Sequence, residues 1–126
     1  MRLKIRDMAG VELKVAKAFG NAGYTYVYQL MVADAKELKK SVVLSEEMID
    51  FVYSLSQLMR IQGLGTKYAF FLLSALQINT INSLAKYKPA QLLSLITEKN
   101  NVARILKANP NAIQVASWID QANMLV

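Results

Sequence analysis

The amino-acid sequence predicts a small all-α protein built as a compact bundle of short helices. Three observations support this fold class: apolar residues recur at three- and four-residue spacing, helix-start signals are spread along the chain, and only two prolines occur among 126 residues. Hydrophobic residues make up 54% and charged residues 19%, a composition typical of a packed globular domain. We expect about eight to ten helices.

Four segments carry residues that favour the N-terminal end of a helix. Asp34–Glu37 resembles a capping box and predicts a short helix that reaches about Lys40. Ser45–Glu47 places a hydroxyl cap before two acids, which favour the positive end of a helix dipole. Pro89 suits a first helical turn, and Asn109–Pro110 predicts an N-cap followed by a first-turn residue.

The tyrosine-rich segment Gly23–Leu30 also has the alternation and composition of a β-strand. A single strand needs a partner for its backbone hydrogen bonds, and we find no partner for it elsewhere in the sequence. We therefore predict a turn followed by a short helix that is capped by Thr25.

The chain contains an imperfect internal duplication. Met8–Val11 aligns with Ile61–Leu64, with a glycine at the third position of each segment. Farther along, Tyr24–Leu30 aligns with Ile78–Leu84. The two halves of the sequence therefore share an order of motifs.

This similarity predicts one domain over residues 1–126 with two repeats. The first repeat, residues 1–57, is degenerate, whereas the second, residues 58–126, has a longer insert between about Ala85 and Asn109. Duplicated helical hairpins normally pack about a pseudo-two-fold axis, because neither half buries enough apolar surface alone. We expect that symmetry here.

The most informative motif is Ile61–Gly65, followed by Thr66 and Lys67. Its two glycines allow positive φ and a close approach of the backbone to a ligand. The first N–H groups of the helix that follows point out of the turn, where they can meet an anion such as a phosphate. This is the physical basis of a helix-hairpin-helix element, although a tight turn without a ligand is the alternative.

The second repeat resembles an uncharacterised family of tandem helix-hairpin-helix domains. The resemblance rests on Leu58–Gly65, Tyr68–Ala69, Leu84–Ala85 and a later helix with the pattern Val115-x-x-Trp118-Ile119-x-x-Ala122. It covers about Leu58 to Leu125 well and residues 3–57 weakly.

The resemblance to helix-hairpin-helix proteins implies sequence-independent binding of nucleic acid, most often duplex DNA. It implies that the backbone of the glycine turn meets one phosphate, with a hydroxyl hydrogen bond from Thr66 and charge from Lys67. Two lysines of the first repeat would assist. The nucleic-acid-binding residues implied in this way are Gly63, Leu64, Gly65, Thr66, Lys67, Lys14 and Lys17.

The first repeat departs from this pattern at one position. Glu12 stands where the second glycine should fall. A carboxylate repels a phosphate, and its β-carbon restricts the turn. Lys14 and Lys17 follow it and offer compensating charge, but we expect the first repeat to be chiefly structural.

Tyr68–Leu76 is apolar nearly all round, whereas a surface helix normally has a polar face. Phe70 and Phe71 are therefore either covered by the longer insert after Ala85 or exposed as a protein-interaction or homodimer patch. The second possibility predicts an alternative function, a protein-interaction or scaffold module that uses this helix.

Net charge and hydropathy narrow the range of partners. The formal net charge is +6, from 15 basic and 9 acidic residues, which favours a polyanion; the alternative is a solubilising excess. The longest apolar run, Tyr68–Leu73, is far shorter than a membrane span, and residues 1–7 do not form an apolar signal segment. We expect a cytoplasmic protein without a membrane partner.

The chain contains no cysteine and no histidine. Disulfides, thiolate chemistry, imidazole bases and imidazole–metal sites are therefore excluded. Serines, lysines and carboxylates do not form a recognisable catalytic or metal-ligand pattern. We expect a protein that is not an enzyme and that takes no metal, cofactor or small-molecule substrate.

Overall fold

The computed structural model describes residues 2–126, which form eight α-helices and one 3-10 helix and contain no β-strand. The all-α prediction is confirmed. In chain order the elements are the 3-10 helix Ile5–Asp7, α1 Leu13–Asn21, α2 Val27–Met31, α3 Ala35–Ser41, α4 Glu46–Leu58, α5 Gly65–Leu76, α6 Ile81–Ala85, α7 Pro89–Ala103 and α8 Ala112–Leu125.

Three of the predicted helix starts are confirmed. The Asp34 side chain accepts a hydrogen bond from the Lys36 backbone N–H at 3.0 Å, which caps α3. Ser45 Oγ accepts from the Met48 backbone N–H at 3.2 Å, which caps α4. Pro89 is the first residue of α7, where its missing N–H leaves no intrahelical bond unmade.

The fourth predicted start, Asn109–Pro110, is wrong by two residues. Helix α8 begins at Ala112 and Asn111 is its N-cap. Asn111 Oδ1 accepts from the Gln114 N–H at 2.8 Å, while Gln114 Oε1 accepts from the Asn111 N–H at 2.9 Å. This reciprocal capping box satisfies two backbone donors at once. Pro110 is buried in the loop before the helix.

The tyrosine-rich segment forms a short helix, α2, but its cap differs from the prediction. The N-cap is Tyr26 rather than Thr25. Gln29 Oε1 accepts from the N–H groups of both residues, at 2.8 Å from Thr25 and 2.9 Å from Tyr26. The strand-like character of this segment is also seen in the structure, where Tyr26 forms an isolated antiparallel bridge with Lys4. The partner that the sequence did not reveal is the N-terminal segment.

The chain divides into two compact units, residues 2–60 and residues 61–126. In the first unit, α4 packs against α2 and α3; in the second unit, α8 packs against α6 and α7, and α5 packs against α7. The buried side chains of the first unit include Phe19, Leu30, Leu38, Ile49 and Leu55. Those of the second unit include Leu64, Phe71, Leu84, Leu92 and Trp118.

The two units contain the same order of helices. In each, the second α-helix has five residues and the fourth packs against the second and the third. The extra residues of the second unit lengthen its third helix to 15 residues, against 7 in the first unit, and add the loop 104–111. The duplication in the sequence stays a prediction, and so does a two-fold axis that relates the units.

Candidate functional site

The glycine turn, residues 61–65, is fixed by a side chain from α8. Gln121 Oε1 accepts a hydrogen bond from the Gln62 backbone N–H at 2.7 Å, and Gln121 Nε2 donates to the Gln62 carbonyl at 2.9 Å. Nε2 also donates to Ser117 Oγ at 3.2 Å, which supports this orientation of the amide. One side chain therefore satisfies both backbone polar groups of a turn residue.

The turn combines two exposed glycines with a buried leucine. Gly63 has φ 83° and Gly65 has φ 72°, a region that side chains disfavour. A β-carbon added to either glycine would meet nothing within 4 Å, so conformation rather than space requires glycine. Leu64 between them is buried, with 1% exposure, and anchors the turn in the core. The backbone at both glycines is thus accessible from solvent, as the anion-binding prediction requires.

A shallow depression beside the start of α5 brings two lysines together. We call it the Lys67–Lys107 depression; its volume is about 210 Å³. Its apolar wall comes from Tyr68 and from the largely buried Leu106. The Tyr68 ring packs against Trp118, with 5.0 Å between the ring centroids. The two lysines are exposed, and neither makes an ion pair with another described residue.

Lys107 is positioned by a loop that folds back on α7. Arg104 ends that helix with φ 52°, and the chain then reverses. Asn100 Oδ1 accepts from the Leu106 N–H at 2.9 Å, and Asn100 Nδ2 donates to the Leu106 carbonyl at 3.1 Å and to Asn109 Oδ1 at 3.0 Å. These three bonds order the loop. Lys107 was not predicted from the sequence, because only this fold of the loop brings it beside Lys67.

The second unit has an excess of basic residues. It contains six basic residues against two acidic ones, Glu98 and Asp120. The three ion pairs found among the described residues all lie in the first unit. The positive charge of the second unit is therefore not neutralised by internal pairing, which leaves it available to an anion.

Lys14 and Lys17, two of the predicted nucleic-acid-binding residues, belong to the first unit. Lys14 Nζ lies 3.7 Å from Glu12 Oε2, so its charge faces a carboxylate. Lys17 lines a separate pocket within that unit. Glu12 itself is the N-cap of α1, with extended backbone. The residues that line the Lys67–Lys107 depression all belong to the second unit.

Phe70 and Phe71 do not form the exposed patch that was one of the two sequence-based expectations. Phe71 is buried, with 1% exposure, and Phe70 is half-buried. Helix α5 packs against α7, which lies in the longer insert of the second unit. The insert therefore covers this helix, and the apolar character of α5 reflects core packing.

Within residues 2–126, no group of three or more acidic, histidine or cysteine side chains lies close enough together to hold a metal ion. None of the helices in this range combines the length and the apolar character that a membrane span requires. The candidate site at the glycine turn consists of backbone and cationic groups, which can bind an anion by hydrogen bonds and charge.

The fold and the basic surface define a small all-α domain with an exposed glycine turn. The profile of a family described as a domain of unknown function, DUF4332, matches residues 13–125. This match runs from the first residue of α1 to the last residue of α8, and the chain belongs to this family. No significant match was found among curated proteins or among solved structures. Membership of the helix-hairpin-helix superfamily stays a prediction.

Proposed function

We propose that the protein binds nucleic acid, chiefly duplex DNA, through its phosphate backbone and without base specificity. The observation that carries the proposal is the exposed glycine turn followed directly by Lys67, which shares a depression with Lys107. An anion that approaches this surface meets the backbone of the turn and two exposed lysines together. The helix-hairpin-helix relationship predicted from the sequence is part of the same proposal.

In the proposed mechanism, one phosphate binds at the start of α5. The first N–H groups of a helix have no intrahelical acceptor, and the helix dipole favours negative charge there. The left-handed backbone at Gly63 and Gly65 lets a phosphate oxygen approach without a β-carbon in the way. Lys67 and Lys107 then contribute charge to this phosphate or to its neighbour.

Such a surface makes few contacts, which limits its affinity. Non-specific protein–DNA complexes typically have Kd values on the order of 10⁻⁴ to 10⁻⁶ M at physiological salt, and we expect this range. Binding should weaken steeply as salt rises, because the released counterions drive association. Phosphate contacts carry no sequence information, so duplexes of different sequence should bind equally.

The proposal is tested with two double variants that remove the same charge from the same unit. Lys67→Gln with Lys107→Gln neutralises the depression, whereas Lys86→Gln with Lys99→Gln neutralises two exposed lysines outside it. Fluorescence anisotropy with a labelled duplex of ~20 base pairs measures Kd at two salt concentrations. We expect the first variant to bind about tenfold more weakly, with a salt dependence reduced by up to about two released ions.

The control variant should bind nearly as the wild type does. Equal losses in both variants would mean that net charge alone attracts DNA, and unchanged binding in the first would exclude this surface. A labelled fork and a labelled single strand in the same assay identify the preferred form of nucleic acid.

The alternative, a protein-interaction or scaffold module, needs an exposed apolar face on α5. The burial of Phe71 withdraws one of the observations that favoured it, whereas the modest net charge and Glu12 in the first hairpin still favour it. A homodimer or another protein partner would then have to use a different surface. Light scattering of the isolated chain provides the comparison, because a stable dimer without DNA affinity would favour the alternative.

A further inference from the structure

The first unit contains a half-open pocket between the 3-10 helix and α1, separate from the glycine turn. Its volume is about 210 Å³. The apolar part of its lining includes Leu13, which is 59% exposed at the start of α1, and Ala16 one turn later. Gly20 on the same helix adds no side chain, so the space beside it is open. We call this cavity the first-unit pocket.

Three basic residues line this apolar pocket: Lys4 and Arg6 on either side of buried Ile5, and Lys17 on α1. No acidic residue is among those that line it, and within residues 2–126 none of the three cations makes an ion pair. Asp7 and Glu12 lie close by in sequence, but Glu12 faces Lys14 at 3.7 Å. The charged residues that line the pocket are therefore all basic, which favours a negatively charged group there.

The size of the pocket points to a side chain rather than to a whole metabolite. Small-molecule sites usually have volumes of ≈ 300–1,000 Å³ and enclose most of the ligand. About 210 Å³, open on one side, holds one large apolar side chain. The cations come from the segment Lys4–Arg6 and from α1, so an apolar side chain with acids on both sides can present a carboxylate to each of these two segments.

We infer that the first-unit pocket binds an acidic segment of a partner protein, which inserts one large apolar side chain and places carboxylates against Lys4, Arg6 and Lys17. An apolar anchor in a pocket supplies the affinity of such contacts, and the surrounding charge supplies the rate of association and the specificity. This inference is independent of nucleic-acid binding by the second unit.

Gly20 makes a clean test possible. It lies within α1 at a helical φ, and a β-carbon there would meet nothing within 4 Å. The β-carbon of Gly20→Leu is therefore accommodated without a clash, and we expect the rest of its side chain to take up space in the pocket that Gly20 lines. Loss of a glycine from the last turn of α1 should not weaken the helix. Lys17→Gln removes one lining cation. Lys14→Gln on the same helix is its matched control, since Lys14 does not line the pocket.

The experiment uses the full chain and two fluorescent peptides, one with a phenylalanine flanked on each side by three aspartates and one with serine in place of that phenylalanine. For the wild type we expect the phenylalanine peptide to bind about ten to a hundred times more tightly. Gly20→Leu should abolish that difference, and Lys17→Gln should weaken binding about threefold while Lys14→Gln leaves it unchanged.

Several results would overturn the inference. Equal binding of the two peptides, no binding of the phenylalanine peptide at millimolar concentration, or full binding by Gly20→Leu each exclude an apolar anchor in this pocket. Tighter binding of 3-phenylpropionate than of the peptide would make it a small-molecule site. A loss of DNA binding in Gly20→Leu would assign the pocket to nucleic acid. Lys67→Gln with Lys107→Gln should leave peptide binding intact, which separates this test from that of DNA binding.

Discussion

The turn before α1 and the turn before α5 begin alike and end differently. Gly10 and Gly63 both have a left-handed backbone, with φ 81° and 83°. Two residues later the first turn has Glu12 at φ −72° and ψ 153°, whereas the second has Gly65 at φ 72°. The first turn therefore leads into its helix through an extended cap that carries a carboxylate. The second reaches its helix through another left-handed residue without a side chain.

The comparison shows how one residue changes what a turn can bind. At the first turn, the N-cap residue Glu12 carries a negative charge, which repels an external anion from the start of the helix. At the second, the same place is open, because Gly65 is exposed and nothing lies within 4 Å of a β-carbon built there. Of these two turns, only the second therefore combines a glycine at this position with the absence of a carboxylate there.

Replacement of Gly65 by valine should have the largest effect on stability. At φ 72° a β-branched residue is strongly disfavoured, and we expect a loss of about 2–3 kcal/mol in the free energy of unfolding. Glu12→Val is the matched control, since extended backbone accepts a β-branched residue; its loss should stay below about 0.5 kcal/mol. Urea unfolding of both variants measures the difference. Equal losses would mean that the two turns do not differ in backbone requirement.

Removal of the Gln121 side chain should have an intermediate effect on the free energy of unfolding. Gln121→Ala deletes both hydrogen bonds to the Gln62 backbone, and we expect a loss of about 1–2 kcal/mol with faster hydrogen exchange of the Gln62 amide. Gln62→Ala keeps those backbone groups and should cost less than about 0.5 kcal/mol. An unchanged exchange rate in Gln121→Ala would show that local bonds suffice to hold the turn.

Neutralisation of Glu12 should have the smallest effect of the three, a change in DNA affinity and not in stability. Glu12→Gln removes the carboxylate from the first turn and releases Lys14, so we expect DNA affinity to rise about two- to threefold at low salt. Glu47→Gln, at the first turn of α4, removes an equal charge as control. An equal rise in both variants would point to net charge and not to the turn.

Helix boundaries could be predicted from the sequence where a capping side chain accepts a hydrogen bond from a backbone N–H group a few residues later. Ser45 and Asp34 cap their helices through bonds two or three residues away, and such bonds are visible in the sequence. The start predicted at Asn109–Pro110 was wrong because Asn111, two residues later, can also cap the helix and has Gln114 as its capping partner. A capping residue therefore identifies a helix start only when the competing caps nearby are weaker.

The candidate site was predictable only in part, for a related reason. The two glycines of the second turn made its left-handed backbone predictable, because few other residues adopt positive φ. Lys107 and Gln121 gave no such sign, since each reaches the site through a fold that brings distant segments together. The cover over Phe71 likewise depends on how α7 packs, which hydrophobic spacing in α5 does not specify.

The bonds between Gln62 and Gln121 join positions 59 residues apart. Contacts of such long range form late when a chain folds, because loop closure must precede them. During synthesis the glycines therefore leave the ribosome well before the helix that steadies them. In the proposed function, a nascent chain would bind DNA at this turn only after α8 has docked.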